Sequence, residues 1–137
     1  MNKLLVLAYN EENKIEEAIT SQLDIFDEII VVNDKSKDGT KAILEELSLK
    51  HKKIVVINND KNLGPGRSME IGINYSIKSS FNFLVKIDGD NQFDKEDVVS
   101  ILESAKKYNA DYIKCDRFWV GGVKGKIPKI RYFGNAI

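Results

Sequence analysis

Short apolar runs alternate along the chain with stretches in which apolar residues recur at helical spacing. Leu4 to Ala8, Glu28 to Asn33, Ile54 to Asn58, Phe83 to Ile87 and Tyr112 to Cys115 have strand length and end in polar or turn-forming residues. Between them, Ile15, Ala18, Ile19 and Leu23 share one helical face, as do Ile43, Leu44 and Leu47. Met69, Ile73 and Ile77 make a third such face, and Val98, Ile101, Leu102 and Ala105 a fourth. Strands this apolar are covered on both sides, so the alternation predicts an α/β fold with a largely parallel sheet between helices. Right-handed crossovers gather the loops that follow the strands along one edge, where open α/β sheets bind ligands. Tyr9-Asn10-Glu11-Glu12, Asn33-Asp34-Lys35-Ser36, Asp60-Lys61-Asn62-Leu63-Gly64 and Asp88-Gly89-Asp90 all fall on that edge.

Asp88-Gly89-Asp90 carries the clearest chemistry. Two hard carboxylates separated by one small residue can hold Mg²⁺ or Mn²⁺ while the diphosphate of a nucleotide completes the coordination shell. Such an ion makes diphosphate a leaving group. The same residues also suit an ordinary turn after a strand. Asn10, Glu11 and Glu12 fit the cap and dipole of the first helix, and Asp38-Gly39-Thr40 fits the cap of the second. Asp34 reads as a ligand for the amide or imide edge of a nucleobase, with Tyr9 packed on the base, or as turn chemistry. Asn62-Leu63-Gly64-Pro65-Gly66-Arg67 opens a helix, where N–H groups can face phosphate, although it is neither a dinucleotide fingerprint nor a Walker sequence. His51 reads as a solvated charge at a helix end and Trp119 as packing or interface.

Composition narrows the class. The 137 residues fit one domain, and 42% hydrophobic with 31% charged residues describes a globular chain. Lys plus Arg and Asp plus Glu balance at 21 each, so no global field recruits nucleic acid. From Lys114 onward Lys114, Arg117, Lys124, Lys126, Lys129 and Arg131 face only Asp116, which suits a local site for anions, an anionic membrane surface, or a solvated tail. Cys115, the single cysteine, reads as a small core residue in a reducing compartment. The apolar stretch at Leu4 to Leu7 is too short for a signal peptide or a membrane span, and the chain is expected to be cytoplasmic.

In order, these clusters resemble the family 2 glycosyltransferases. Leu7-Ala8-Tyr9-Asn10-Glu11-Glu12 is similar to the family's Pro-Ala-Tyr-Asn-Glu-Glu, and the stretch from Val32 to Thr40 to its Val-Asp-Asp-Gly-Ser-x-Asp-Gly-Thr. Asn62-Leu63-Gly64 followed by Gly66 matches too, and Asp88-Gly89-Asp90-Asn91-Gln92 is similar to Asp-Ala-Asp-Gly-Gln. Asp116-Arg117-Phe118, Gly121-Gly122, Pro128, Arg131, Gly134 and Asn135 are similar to the lipid-phosphate segment of the dolichyl- or polyprenyl-phosphate mannose synthase branch. The departures are Leu7 for proline, Asn33 for aspartate and Lys35 for glycine.

The resemblance implies a GT-A fold, a Rossmann-like three-layer sandwich, and a hexosyltransferase of cell-envelope glycan synthesis. It places Ala8, Tyr9, Glu11 and Asp34 around the base and ribose, with Gly64, Asp88 and Gly89 in the same nucleotide-sugar site. Asp88, Asp90 and Gln92 would hold Mg²⁺ or Mn²⁺, and Arg117 and Arg131 would bind the acceptor phosphate, making Asp90, Arg117 and Arg131 the catalytic set. A donor domain would span 1–116, and 117–137 would begin the acceptor segment of the same domain, since family members continue beyond Asn135. A polyprenyl phosphate is already anionic and needs positioning more than a base, which suits bidentate arginines. A glycan hydroxyl as acceptor, or a nucleotide-sugar-binding domain without turnover, are the other readings. The cytoplasmic face of a membrane is a possible partner surface.

Overall fold

The computed structural model describes residues 1–115. They form β1 (Asn2–Ala8), α1 (Ile15–Thr20), β2 (Glu28–Asn33), α2 (Thr40–Lys50), β3 (Ile54–Asn58), α3 (Pro65–Ser76), β4 (Phe83–Asp88) and α4 (Lys95–Tyr108). The four strands make one parallel sheet in the order β3-β2-β1-β4. The chain steps from β1 outward to β2 and β3, then crosses back to place β4 on the far side of β1. The turning point of the order therefore lies between β1 and β4, and ligands of open α/β sheets bind at such a point.

Handedness decides which helix covers which face. The crossovers through α1 and α2 lie on one face of the sheet, and the reversed crossover through α3 on the other, as right-handed connections require. On the first face Leu4, Val6, Ala8, Ile29, Val31, Val85 and Ile87 pack with Ile15, Ile19, Leu44, Leu47, Val98 and Leu102. On the second, Leu5, Leu7, Ile30 and Val32 pack with Tyr75 of α3. The result is the expected α/β sandwich.

The third helix departs from its predicted face. Met69, Ile73 and Ile77 are exposed at 40%, 37% and 63%, while Ser68, Gly72 and Ser76 are buried. Close approach to the sheet is the reason. A Cβ on Gly72 would sit 2.2 Å from Leu5 Cδ1 and 2.9 Å from Leu5 Cδ2. Only small side chains fit that contact, so hydropathy periodicity points at the wrong side. Gly72→Ala should cost about 1–3 kcal/mol by overpacking against the fully buried Leu5. Urea denaturation measures it, and Leu5→Val in the same protein should recover part of the loss.

The strand expected at Tyr112 to Cys115 does not form. These four residues have no regular structure and are exposed, because no neighbouring strand among the described residues gives their amides a ladder. Cys115 is accordingly exposed, not a core residue. The chain divides into a unit spanning Met1–Glu103 and another spanning Ser104–Ile137. Within the second, α4 ends where Asn109 takes a left-handed φ of 47° and Ala110 N–H donates to Ala105 O at 3.0 Å. Among the described residues no helix is long and apolar enough to cross a membrane.

Candidate functional site

Strand register brings the polar clusters to one level. Ala8 pairs with Asn33, Asn33 with Asn58, and Leu7 with Asp88, so the residues after each strand emerge side by side. Backbone bonds extend the alignment beyond the strands: Asp34 N–H donates to Ala8 O, Asn59 N–H to Asn33 O, and Gly89 N–H to Leu7 O, each at 2.9 Å.

The loops after β1 and β2 lock onto each other. Asn10 N–H donates to Ser36 Oγ at 3.0 Å, and Lys37 N–H returns a bond to Asn10 Oδ1 at 2.8 Å. Glu11 N–H donates to Thr40 Oγ1, Glu12 N–H to Asp38 Oδ2, and Gly39 N–H to Glu12 Oε2. Asp38 also accepts from Thr40 N–H at 3.0 Å, so it serves the start of α2 as a cap residue would. Asn10 and Lys35 both adopt left-handed φ, 56° and 59°. Asparagine tolerates that region, but lysine pays for it. Lys35→Gly should raise stability by about 1 kcal/mol, read as a shift in denaturation midpoint with an unchanged slope. Asn33, the other departure in this motif, donates through Nδ2 to Asn58 Oδ1 at 2.7 Å and accepts from Ser36 N–H and Oγ. A carboxylate there could not donate to Asn58.

Asp34 is only 5% exposed and its carboxylate is engaged by the protein. Oδ1 accepts from Asn59 Nδ2 and Leu63 N–H, and Oδ2 from Gly64 N–H, all at 2.8 Å. Asn59 Nδ2 also donates to Ser68 Oγ at 3.0 Å, tying this knot to α3. Burial alone would raise the Asp34 pKa, but the bonds from Leu63, Asn59, Gly64 and Ser68 outweigh it and hold the group below its ordinary 3.8. Gly64 makes the turn possible, with φ 81° and ψ 165°, a conformation essentially restricted to glycine. Of the amides at this helix start that could face phosphate, the Leu63 and Gly64 N–H groups are committed to Asp34.

At the β1–β4 turning point stands the Asp88-Gly89-Asp90 turn. Gly89 is buried against β1, and a Cβ there would stand 2.6 Å from Ile15 Cδ1 and 3.3 Å from Leu7 O. A residue without a side chain lets the Asp88-Gly89-Asp90 turn lie directly on the end of β1, beside buried Ala8 and exposed Tyr9. Asp90 Oδ1 accepts Gln92 N–H at 3.3 Å, Asn91 supplies a left-handed φ of 55°, and Gln92 itself is exposed. Burial raises the Glu11 carboxyl above its ordinary 4.5 and the charge of Asp90 raises it further; Lys14 opposes this, while Asp38 and Asp88 add to it. Glu11 thus feels both acids of the turn. Among the described residues no three His, Cys, Asp or Glu side chains are close enough to hold a metal alone. Asp88 and Asp90 are the hard carboxylates that would hold Mg²⁺ or Mn²⁺ if a diphosphate and water supplied the remaining ligands.

The structure therefore brings Ala8, Tyr9, Glu11, Asp88, Gly89 and Asp90 to the same edge of the sheet and sets Asp34 and Gly64 one strand away as a packed knot. Asp116, Arg117, Trp119, the glycines after it, Pro128 and Arg131 lie outside the described residues. Sequence reasoning missed Asn59, Ser68 and Asn58, the partners of Asp34 and Asn33, which are isolated polar residues carrying no local signal. It also missed Lys86, which had one: it stands two residues before Asp88 on the same face of β4.

The family model "Glycosyl transferase family 2" matches residues 4–135. The chain is 27% identical over 145 residues to a UDP-N-acetylglucosamine--dolichyl-phosphate N-acetylglucosaminyltransferase of Methanococcus voltae, covering 96% of this chain and 58% of that protein. It is similar to the crystal structure of S. aureus TarS 1-349 in complex with UDP, with a TM-score of 0.65 and 25% identity over 80% of this chain and 33% of that one. A mannosyltransferase from Pyrobaculum calidifontis in complex with GDP-Man and Mn²⁺ shares the fold, with a TM-score of 0.64 and 22% identity over 80% of this chain and 32% of that one. The chain spans about half the length of the curated relatives it matches.

Proposed function

Because the chain belongs to glycosyl transferase family 2 and has its GT-A fold, we propose that it provides the donor site of a hexosyltransferase drawing on a nucleoside diphosphate sugar. The observation that carries this reading is the Asp88-Gly89-Asp90 turn seated on the end of β1, where Gly89 packs on Leu7 and Ile15 and Glu11 feels both acids. That crevice is where the sheet order reverses, and it gathers the negative charge that a metal-bridged diphosphate needs. Bound Mg²⁺ or Mn²⁺ would offset the charge that develops on the departing diphosphate. Tyr9, exposed at the crevice mouth, offers its ring to the base, and Ala8 leaves room for it. Asp34 shapes the neighbouring wall through the turn it holds, and Glu11 would take the ribose.

For the acceptor, the reading is a polyprenyl phosphate at the cytoplasmic face of a membrane. The Methanococcus relative is named for transfer to dolichyl phosphate, and Arg117 and Arg131 stand in the basic stretch after Lys114. A phosphate acceptor needs no base to become a nucleophile, so guanidinium positioning suffices. Incubation of the chain with labelled UDP- and GDP-sugars, Mn²⁺ and a short polyprenyl phosphate should give a labelled lipid. Label passing only to an oligosaccharide acceptor would overturn the lipid reading, and nucleotide-sugar binding without transfer to either would leave a binding domain.

A further inference from the structure

Asp88 already has a cation beside it. Lys86 Nζ stands 2.6 Å from Asp88 Oδ1, with the two side chains 37% and 43% exposed. Val85 and Ile87 turn into the core on the opposite face, so strand geometry sets Lys86 and Asp88 side by side. Among the ion pairs of the described residues, this is the one that engages the Asp-Gly-Asp turn.

We propose that Lys86 is a built-in competitor of the divalent ion, which makes metal binding depend on the nucleotide. The inference rests on the donor-site reading above. An ammonium group on Asp88 occupies an oxygen that the ion would use, and its positive charge, a few ångströms away, repels the ion. A nucleoside diphosphate changes the balance. Its phosphate oxygens supply ligands to the ion and a second anionic partner to the flexible Lys86 side chain, which leaves Asp88 free to coordinate. Ion and nucleotide then each strengthen the other's binding by the same factor.

Mn²⁺ binding to the full chain, followed by water-proton relaxation with and without UDP or GDP, tests this. Lys86→Met keeps the length of the side chain and removes its charge. It should bind Mn²⁺ alone about tenfold more tightly than the wild type, and the enhancement of Mn²⁺ affinity by nucleotide should fall by a similar factor. Lys86→Arg should behave as the wild type, and 0.5 M KCl should narrow the difference. Unchanged or weaker Mn²⁺ binding by Lys86→Met would overturn the proposal. Asp88→Asn separates the two levels. If Asp88→Asn loses Mn²⁺ while Lys86→Met is unchanged, only the role of Lys86 falls; if Asp88→Asn binds Mn²⁺ as the wild type does, the donor-site reading falls with it.

Discussion

Asp90→Asn should lower sugar transfer by about 10²–10³-fold, the usual cost of removing one electrostatic support of a leaving group. Asparagine keeps the shape of the side chain and can still accept the Gln92 N–H through Oδ1, so the turn should survive and the midpoint of unfolding should stay close to wild type. The loss should lie mainly in kcat when Mn²⁺ is saturating, because the charge on the diphosphate grows toward the transition state. Steady-state rates across a Mn²⁺ series, read beside a melting curve, measure both parts. A fall in rate that tracks a fall in stability would mean that Asp90 serves the turn rather than the chemistry.

Asp34→Asn should behave in the opposite way, with a large effect on folding. Its carboxylate accepts from Asn59 Nδ2 and the Leu63 and Gly64 N–H groups in a nearly water-free place, and an amide nitrogen would confront one of those donors with another donor. A cost of about 2–4 kcal/mol follows from leaving buried donors unsatisfied. The pH dependence has a definite sign. The folded-state pKa of Asp34 lies below 3.8, so its stabilisation is fully present above that value and is lost as pH falls through the folded pKa. The acid limb of wild-type stability should therefore be flatter in Asp34→Asn, as urea midpoints between about pH 2 and 6 would show. Donor affinity should weaken in Asp34→Asn because the wall beside the crevice loosens, and an affinity loss without any stability loss would assign Asp34 to the base itself.

Much of the scaffold was legible because apolar runs of five to seven residues, rich in β-branched side chains and bounded by turn formers, have the length and composition of buried strands. Leu4 to Ala8, Glu28 to Asn33, Ile54 to Asn58 and Phe83 to Ile87 are strands almost residue for residue. Periodicity succeeded for α1, α2 and α4, whose contacts with the sheet are made by Ile19, Leu44, Leu47, Val98 and Leu102. It failed for α3, where closeness to Leu5 selects Ser68, Gly72 and Ser76, residues that a hydropathy pattern treats as solvent-facing. It failed again at Tyr112 to Cys115, since β-branched and aromatic residues favour a strand only when a partner is present.

The candidate site divides along the same line. Asp88 and Asp90 could be placed from the chain because the end of a strand fixes where they stand. Asp34 could be placed but not given its partners, because Asn59, Leu63 and Gly64 come from 25 to 30 residues away and the Gly64 conformation leaves no trace beyond the glycine itself. Lys86 lay in plain view as one polar residue in an apolar strand, and the two-residue period of the strand was the clue.

Calorimetric titration of UDP and GDP into the chain, in Mn²⁺ and then in EDTA, tests the donor site at the β1–β4 turning point most directly. One of the two nucleotides should bind in Mn²⁺, lose most of its affinity in EDTA, and show no such difference with Asp90→Asn. Equal affinity in Mn²⁺ and EDTA, or metal-dependent binding that persists in Asp90→Asn, would contradict a diphosphate site built on Asp88 and Asp90.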